Sequence, residues 1–260
     1  MQNNTFSGLF VGQNLITLKE VDSTNTFLKD ALSKSTPLLE GTVIMAEKQF
    51  AGRGQSHNSW LSEERKNLTF SILLNPSFLP VQLQFELNKA ISVALNDVLR
   101  AYAGNTASIK WPNDSYIGNK KVAGMLIENI VSGNQMRHAI IGIGLNVNQI
   151  DFPATLKNVT SLKQGLHKDY DLDILLSEIC NAVEARYLQL RAGHYDKITR
   201  DYTAHLYLLN QWSTFKSDCG IFAGKITGVN SSGQLEMETK EGLMYFNNKE
   251  VQFINVETII

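Results

Sequence analysis

The stretch from Val81 to Asn146 constrains the fold most, because its hydrophobic period changes partway along. Leu83, Leu87, Ile91, Ala94 and Val98 recur three or four positions apart between Val81 and Tyr102, as one buried face of a helix requires. Beyond Ser108-Ile109-Lys110-Trp111 and Pro112-Asn113-Asp114 the pattern turns β-like, over Ser115 to Ile117 and Lys120 to Ile130. Gly118-Asn119 between those runs suits a two-residue hairpin turn, and a further run, Ala139 to Asn146, follows the Ser132-Gly133-Asn134 turn.

Elements on either side extend this core. Leu15-Ile16-Thr17-Leu18 reads as a strand, and Asp22-Ser23-Thr24 offers a capping hydroxyl or carboxylate to a helix marked by Phe27, Leu28, Ala31 and Leu32. Thr42 to Ala46 and Leu68 to Leu74 are strand-like. A second long helix is predicted from Leu172 to Leu190, with Leu175, Ile179, Val183 and Tyr187 on its stripe and Cys180 beside it, followed by a shorter one over His194 to Leu206. Strands clustered between long helices predict an α+β fold, a mixed and largely antiparallel sheet covered by helices, rather than βαβ alternation. After about Asn210, short β-runs around Ser213–Phe215, Phe222–Val229, Leu235–Thr239 and Leu243–Phe246 are separated by glycine turns, which predicts a small β-barrel. The expected division is 1–210 and 211–260.

Composition excludes several classes of protein. Hydrophobic residues at 43% and charged residues at 19% suffice for a packed core, and a formal net charge of -1 gives no global attraction to nucleic acid or an anionic membrane. Cys180 and Cys219 lack the spacing of a zinc site or a disulfide framework and read as reduced thiols. No run of about 18 apolar residues and no basic leader appears, so a cytoplasmic location is expected, with no glycan on Asn67-Leu68-Thr69. P-loop, zincin and nucleophile-elbow motifs are absent, and Gly142-Ile143-Gly144 has Val147 where a dinucleotide fingerprint needs glycine.

Two places concentrate chemistry. Gln49 to Trp60 offers unobstructed backbone N–H groups at Gly52 and Gly54, a guanidinium at Arg53 and an aromatic plane at Trp60; the same residues also make an ordinary solvated turn. Lys110 to Glu128 is the second. Strict strand alternation there puts Lys121, Ala123 and Met125 on one side and Val122, Gly124 and Leu126 on the other, so Lys121 needs a carboxylate, an anionic ligand or a solvated strand end. Asp114 can cap a turn or meet a cation.

Taken in order, Asp22-Ser23-Thr24-Asn25, Gln49-x-x-Gly52-Arg53-Gly54 with Trp60, Lys110-Trp111-Pro112-Asn113-Asp114, Lys121-x-Ala123-Gly124-x-Leu126-x-Glu128 and Gly142-Ile143-Gly144-Leu145-Asn146-Val147-Asn148 resemble the biotin protein ligases. The resemblance covers roughly residues 13 to 150, and the C-terminal β-module is similar to that family's SH3-like domain. It implies that biotin and MgATP form biotinyl-5′-adenylate and pyrophosphate, and that biotin then passes to a lysine of a carboxylase's biotin carboxyl carrier domain. By the same resemblance Ser23, Thr24, Gln49, Gly52 and Gly124 meet biotin. Arg53 and Lys121 lie by its carboxylate, Lys110 by the phosphates, and Gly54, Trp60, Asn113 and Asn146 about the nucleotide, with Asp114 a contact for Mg²⁺ or ribose. Catalysis falls to Lys121, Arg53 and Lys110, which place cations where charge gathers. Residues 52 to 60 are expected to be mobile until ligand binds.

The family often carries a second arginine where Gln55 stands here, so the resemblance implies a less tightly held adenylate. His57 reads as a solvated loop residue. About twenty residues precede Ser23, too few for a winged helix, so a ligase without repressor function is expected. Monomer and homodimer both stay open. The rivals are a lipoate or octanoate ligase, whose thin substrate has little use for a polar Ser-Thr-Gln cluster, and a non-catalytic biotin or nucleotide sensor.

Overall fold

Seven strands in the order β1-β2-β3-β7-β6-β5-β4 form the larger sheet: β1 (Leu15–Val21), β2 (Val43–Gln49), β3 (Leu68–Leu74), β4 (Ala107–Lys110), β5 (Asp114–Ile117), β6 (Lys120–Ser132) and β7 (Gln135–Leu145). Only β1 and β2 run parallel; every other neighbouring pair is antiparallel. Helices α1 (Thr24–Leu32), α2 (Gln84–Ala103), α3 (Leu162–Leu166), α4 (Leu172–Arg191) and α5 (Tyr195–Ala204) complete this part. The computed structural model describes residues 7–34, 38–55 and 58–254, so His57 lies outside the described residues.

Alternation along β3 explains why the sheet is covered on both faces. Phe70 and Ile72 join the main core with Leu87 and Ile91 of α2 and Ile179 and Val183 of α4. Leu73 points the other way, into a small cluster with Leu28 of α1, Ile44 and Ile140. By the period of two, Ser71, Thr69, Gly142 and Gly144 share the α1 face, beyond the end of that short helix. The helix leaves this part of the sheet open, and the functional cavity lies there. The Gly118-Asn119 turn stands between β5 and β6 as its residues predict, with Gly118 at φ +56.

The second sheet, β11-β10-β9-β8-β12, is antiparallel throughout. It comprises β8 (Trp212–Ser217), β9 (Gly220–Val229), β10 (Leu235–Thr239), β11 (Gly242–Phe246) and β12 (Gln252–Phe253), in keeping with an SH3-like module. Its inner residues Phe215, Ile226, Leu235 and Met237 pack with Val93 of α2, Ile109, Trp111 and Tyr202 in one cluster. The Trp111 indole N–H donates to Gly233 O at 3.0 Å, and the Tyr202 hydroxyl to Pro112 O at 2.7 Å. Helix α2 is consequently buried beyond its periodic stripe at Val93, and its Ser92 and Asn96 are buried too. Cys180 is buried and Cys219 exposed, both free thiols. No helix among the described residues is long and apolar enough to cross a membrane.

Candidate active site

A cavity of about 460 Å³ runs over the open face of the larger sheet and is closed on one side by the C-terminal module. Its first end is neutral. The predicted side-chain cap on α1 is not made: Ser23 occupies the cap position without a side-chain bond, and the Asp22 carboxylate accepts from the Ser23 N–H. Gln49 at the end of β2 takes that role instead, its Oε1 accepting from the Thr24 N–H at 2.9 Å. The Ser71 hydroxyl donates to Asn25 Oδ1 at 2.6 Å and lies 2.7 Å from the Thr24 hydroxyl. Asn25 Nδ2 donates to Glu128 Oε2 at 2.8 Å. Thr24, Asn25 and Ser71 are all buried, so these bonds fix the orientation of each group before any ligand arrives.

Two glycines of β7 make the cavity possible. A Cβ on Gly142 would lie 2.3 Å from Asn25 Oδ1, and one on Gly144 would lie 2.2 Å from Trp60 Cε2. Gly142 therefore admits the asparagine of the neutral end and Gly144 the tryptophan plane. Trp60 forms part of the cavity wall, and its indole N–H is buried without a partner. Gly52 serves the same purpose in the loop, since a Cβ there would meet Trp60 O at 2.3 Å and Gln49 Nε2 at 2.5 Å. The loop folds back on itself, Arg53 bridging to Ser59 and the Gly54 N–H donating to Asn58 O at 2.6 Å. The Arg53 guanidinium is paired with Glu128, the carboxylate that also holds Asn25.

The second end is cationic. Lys121 is ion-paired with Asp114, Nζ to Oδ1 2.7 Å, so a carboxylate of the fold answers the question posed by its sequence position. The expected alternation around it is incorrect. The β5–β6 register slips between Ser115↔Ala123 and Tyr116↔Lys121, leaving Val122 as the extra residue of a bulge. Ala123 and Met125 therefore join the core, while Lys121 lies over Gly124, where a Cβ would sit 3.2 Å from its Nζ. Lys110 donates to the Tyr116 hydroxyl at 3.1 Å and lies 5.1 Å from that ring and 4.7 Å from the Phe253 ring of β12. Burial pushes its pKa below the ordinary lysine value; Asp114 opposes the shift and Lys121 adds to it. Burial also raises the Tyr116 hydroxyl, which stays protonated and accepts from the lysine.

The cavity unites Ser23, Thr24, Gln49, Arg53, Gly54, Trp60, Lys110, Asn113, Asp114, Lys121 and Gly124. Gly52, within the loop, does not line the cavity, and neither does Asn146: the Asn146 Nδ2 donates to Thr160 O at 3.0 Å, leaving its Oδ1 buried without a partner. Sequence reasoning missed Ser71, because a serine in an apolar strand carries no motif. It gave Asn25 and Glu128 no role, although both stand in the ordered motifs. It also missed the module's contribution. Asn248, Lys249, Gln252 and Phe253 line the cavity, and Asn248 Nδ2 donates to Gln55 Oε1 at 3.0 Å while Gln55 Nε2 donates to Asn113 Oδ1 at 3.0 Å.

A protein-family comparison matches residues 17–146 to the biotin/lipoate A/B protein ligase family. The chain is 32% identical over 245 residues to the bifunctional ligase/repressor BirA of Bacillus spizizenii, covering 93% of this chain and 74% of that protein. It is 29% identical over 195 residues to a biotin–[acetyl-CoA-carboxylase] ligase of Mycobacterium tuberculosis, covering 74% and 70%. Among solved structures, the biotin protein ligase of Aquifex aeolicus in complex with biotin and ATP superposes with a TM-score of 0.76 at 31% identity, covering 94% of this chain and 99% of that one. The cavity joins a neutral hydrogen-bonding end to a cationic one. The chain belongs to the biotin/lipoate A/B protein ligase family.

Proposed function

We infer that this protein is a biotin protein ligase. The observation that carries the reading is the joining of two unlike ends in one cavity: neutral groups fixed at Thr24, Asn25 and Gln49 with the Ser23 hydroxyl beside them, and cations at Arg53, Lys110 and Lys121. The neutral end suits a ureido edge on an otherwise apolar bicycle, which needs donors and acceptors at set angles and no charge. The cationic end suits a carboxylate brought against a triphosphate, a union of anions that costs energy unless opposite charge is already in place.

In the first step the biotin carboxylate oxygen attacks the α-phosphorus of ATP; an O–P bond forms, and the bond to the bridging oxygen breaks with pyrophosphate as leaving group. Lys121 and Arg53 hold the carboxylate, Lys110 the phosphates, and Trp60 with Asn113 and Gly54 the nucleoside. In the second step the ε-amine of a carrier-domain lysine attacks the acyl carbon; the C–N bond forms, AMP departs and the amine gives up a proton. No nucleophilic side chain of this chain is required. Asp114, alone among carboxylates on the cavity wall in the described residues, would hold a divalent cation arriving with ATP by exchanging its pairing with Lys121, and such a cation would neutralise phosphate charge. The acceptor is a biotin carboxyl carrier domain of a carboxylase.

The test is exchange of labelled pyrophosphate into ATP, run in parallel with biotin, lipoate and octanoate. Exchange with biotin alone is expected. Exchange with lipoate or octanoate instead would move the chain to the other branch of its family, and none with any acid would leave a binding protein without transfer chemistry.

A further inference from the structure

Among the described residues Arg53 and Lys121 are ion-paired with Glu128 and Asp114, whereas Lys110 has no salt-bridge partner and donates to the Tyr116 hydroxyl. Two rings flank its charge instead, Tyr116 of β5 at 5.1 Å and Phe253 of β12 at 4.7 Å. These rings come from different sheets, and a third ring joins them. The ring centre of Tyr207 lies 5.1 Å from that of Tyr116 and 6.3 Å from that of Phe253, with the planes inclined by 38° and 30°.

Tyr207 belongs to the connection between α5 and β8, and neither it nor Tyr116 lines the cavity. Its placement is fixed from several directions. Ile109, the neighbour of Lys110 in β4, donates its N–H to His205 O at 2.8 Å and accepts the Tyr207 N–H at 2.8 Å. The Tyr207 hydroxyl donates to Asn119 Oδ1 of the β5–β6 turn at 3.1 Å. The same connection begins just after Tyr202, whose hydroxyl holds Pro112 O between Lys110 and Asp114. Packing alone asks only for apolar surface at this boundary. It does not ask for a ring set between the two that flank a cation, on a backbone bonded to the residue beside that cation.

We propose that Tyr207 is a positioning residue of the site: it sets the Tyr116 and Phe253 rings on either side of Lys110 and so aims the lysine charge at the phosphates of ATP. The inference rests on the reading of the site as ATP-binding. It makes the connection between the two sheets part of the site, although that connection touches no ligand. A lysine stem is flexible, and with no carboxylate to fix it the ammonium is directed by the surfaces that face it. Both of those surfaces rest on Tyr207, so a change there reaches the charge without altering it.

Equilibrium titration of the full chain with ATP and, separately, with biotin tests it. Tyr207→Leu is expected to weaken ATP about tenfold, the usual worth of one charge-assisted contact, and to leave biotin within about twofold. Tyr207→Met fills the same space without a ring, should match the leucine variant, and serves in its place if that variant does not fold. Tyr207→Phe keeps the ring, loses only the bond to Asn119, and should retain most of the affinity. A purely structural role is separated by Lys110→Ala: in that background Tyr207→Leu should cost no further ATP affinity, because the group it positions is gone. A tenfold loss there as well, unchanged ATP affinity in the leucine and methionine variants, or equal losses for ATP and biotin would overturn the proposal. Failure of biotin-dependent pyrophosphate exchange in a parent protein that binds ATP would count against the ligase reading alone.

Discussion

The two ends of the cavity are built on opposite principles. At the neutral end Thr24, Asn25 and Ser71 are buried, and every bond that orients them is internal to the protein. At the cationic end Lys121 is a third exposed and its partner Asp114 similarly so, while burial lowers the pKa of Lys110. A neutral ligand edge gains little from raw field and much from fixed angles, so its receptor is rigid and dry. Anions gain from charge that can change partners, so their receptor keeps its cations in weak, partly solvated pairs that a ligand can replace. Glu128 touches both regimes, since it accepts from Asn25 and holds Arg53.

Removing a cation should produce the largest effect. Lys121→Ala is expected to lower biotin-dependent pyrophosphate exchange about a hundredfold or more, the scale of losing one preorganised charge at a reacting oxygen. Biotin binding measured without ATP should fall less. Equal losses in both would place Lys121 in ground-state binding only.

The glycine pair of β7 tests the division of labour with one methyl group each. Gly142→Ala drives a Cβ onto Asn25, and Gly144→Ala drives one onto Trp60. Overpacking of this kind costs about 1–3 kcal/mol. Gly142→Ala should therefore raise KM for biotin roughly tenfold and Gly144→Ala KM for ATP by a similar factor. If both variants raised both constants together, the two ends would act as one unit.

The pH dependence sharpens the cationic side. The folded-state pKa of Lys110 lies below the lysine value of 10.5, so over the window between the two the unfolded chain binds more protons and stability rises with pH. Activity should move the other way. kcat/KM for ATP is expected to fall on an alkaline limb below pH 10.5, and Lys110→Arg should shift that limb upward, because a guanidinium keeps its charge. An unmoved limb in the arginine variant would assign it to another group.

A distant carboxylate serves as the smallest effect on the comparison. Glu184 of α4 accepts the N–H groups of Leu9, Phe10 and Val11 at 2.7, 2.7 and 2.9 Å. Burial alone would raise its pKa, but the three bonds outweigh it and hold the carboxyl below 4.5. Its contribution to stability is thus complete above pH 4.5 and lost as pH falls through the lowered value. Glu184→Gln should cost about 1 kcal/mol by thermal melting and leave both KM values unchanged.

Much of this molecule is legible in order along the chain. The period of α2, the Gly118-Asn119 turn, the β-runs after Asn210 and the sequence of polar motifs each follow from neighbouring residues, because helix stripes, tight turns and strand alternation are local properties. Three features could not be read that way. The bulge at Val122, which turns Lys121 onto the Gly124 side, depends on the register of β5 against β6. The place of Ser71 in the neutral end depends on β3 lying beneath α1. The module's share of the site depends on β12 carrying Phe253 to Lys110, across more than a hundred residues of chain. Sequence by itself determined which residue types were available and which elements would hold them. Tertiary structure decided which side chains meet, because pairing register and domain packing are set by burial summed over the whole molecule rather than by any one segment.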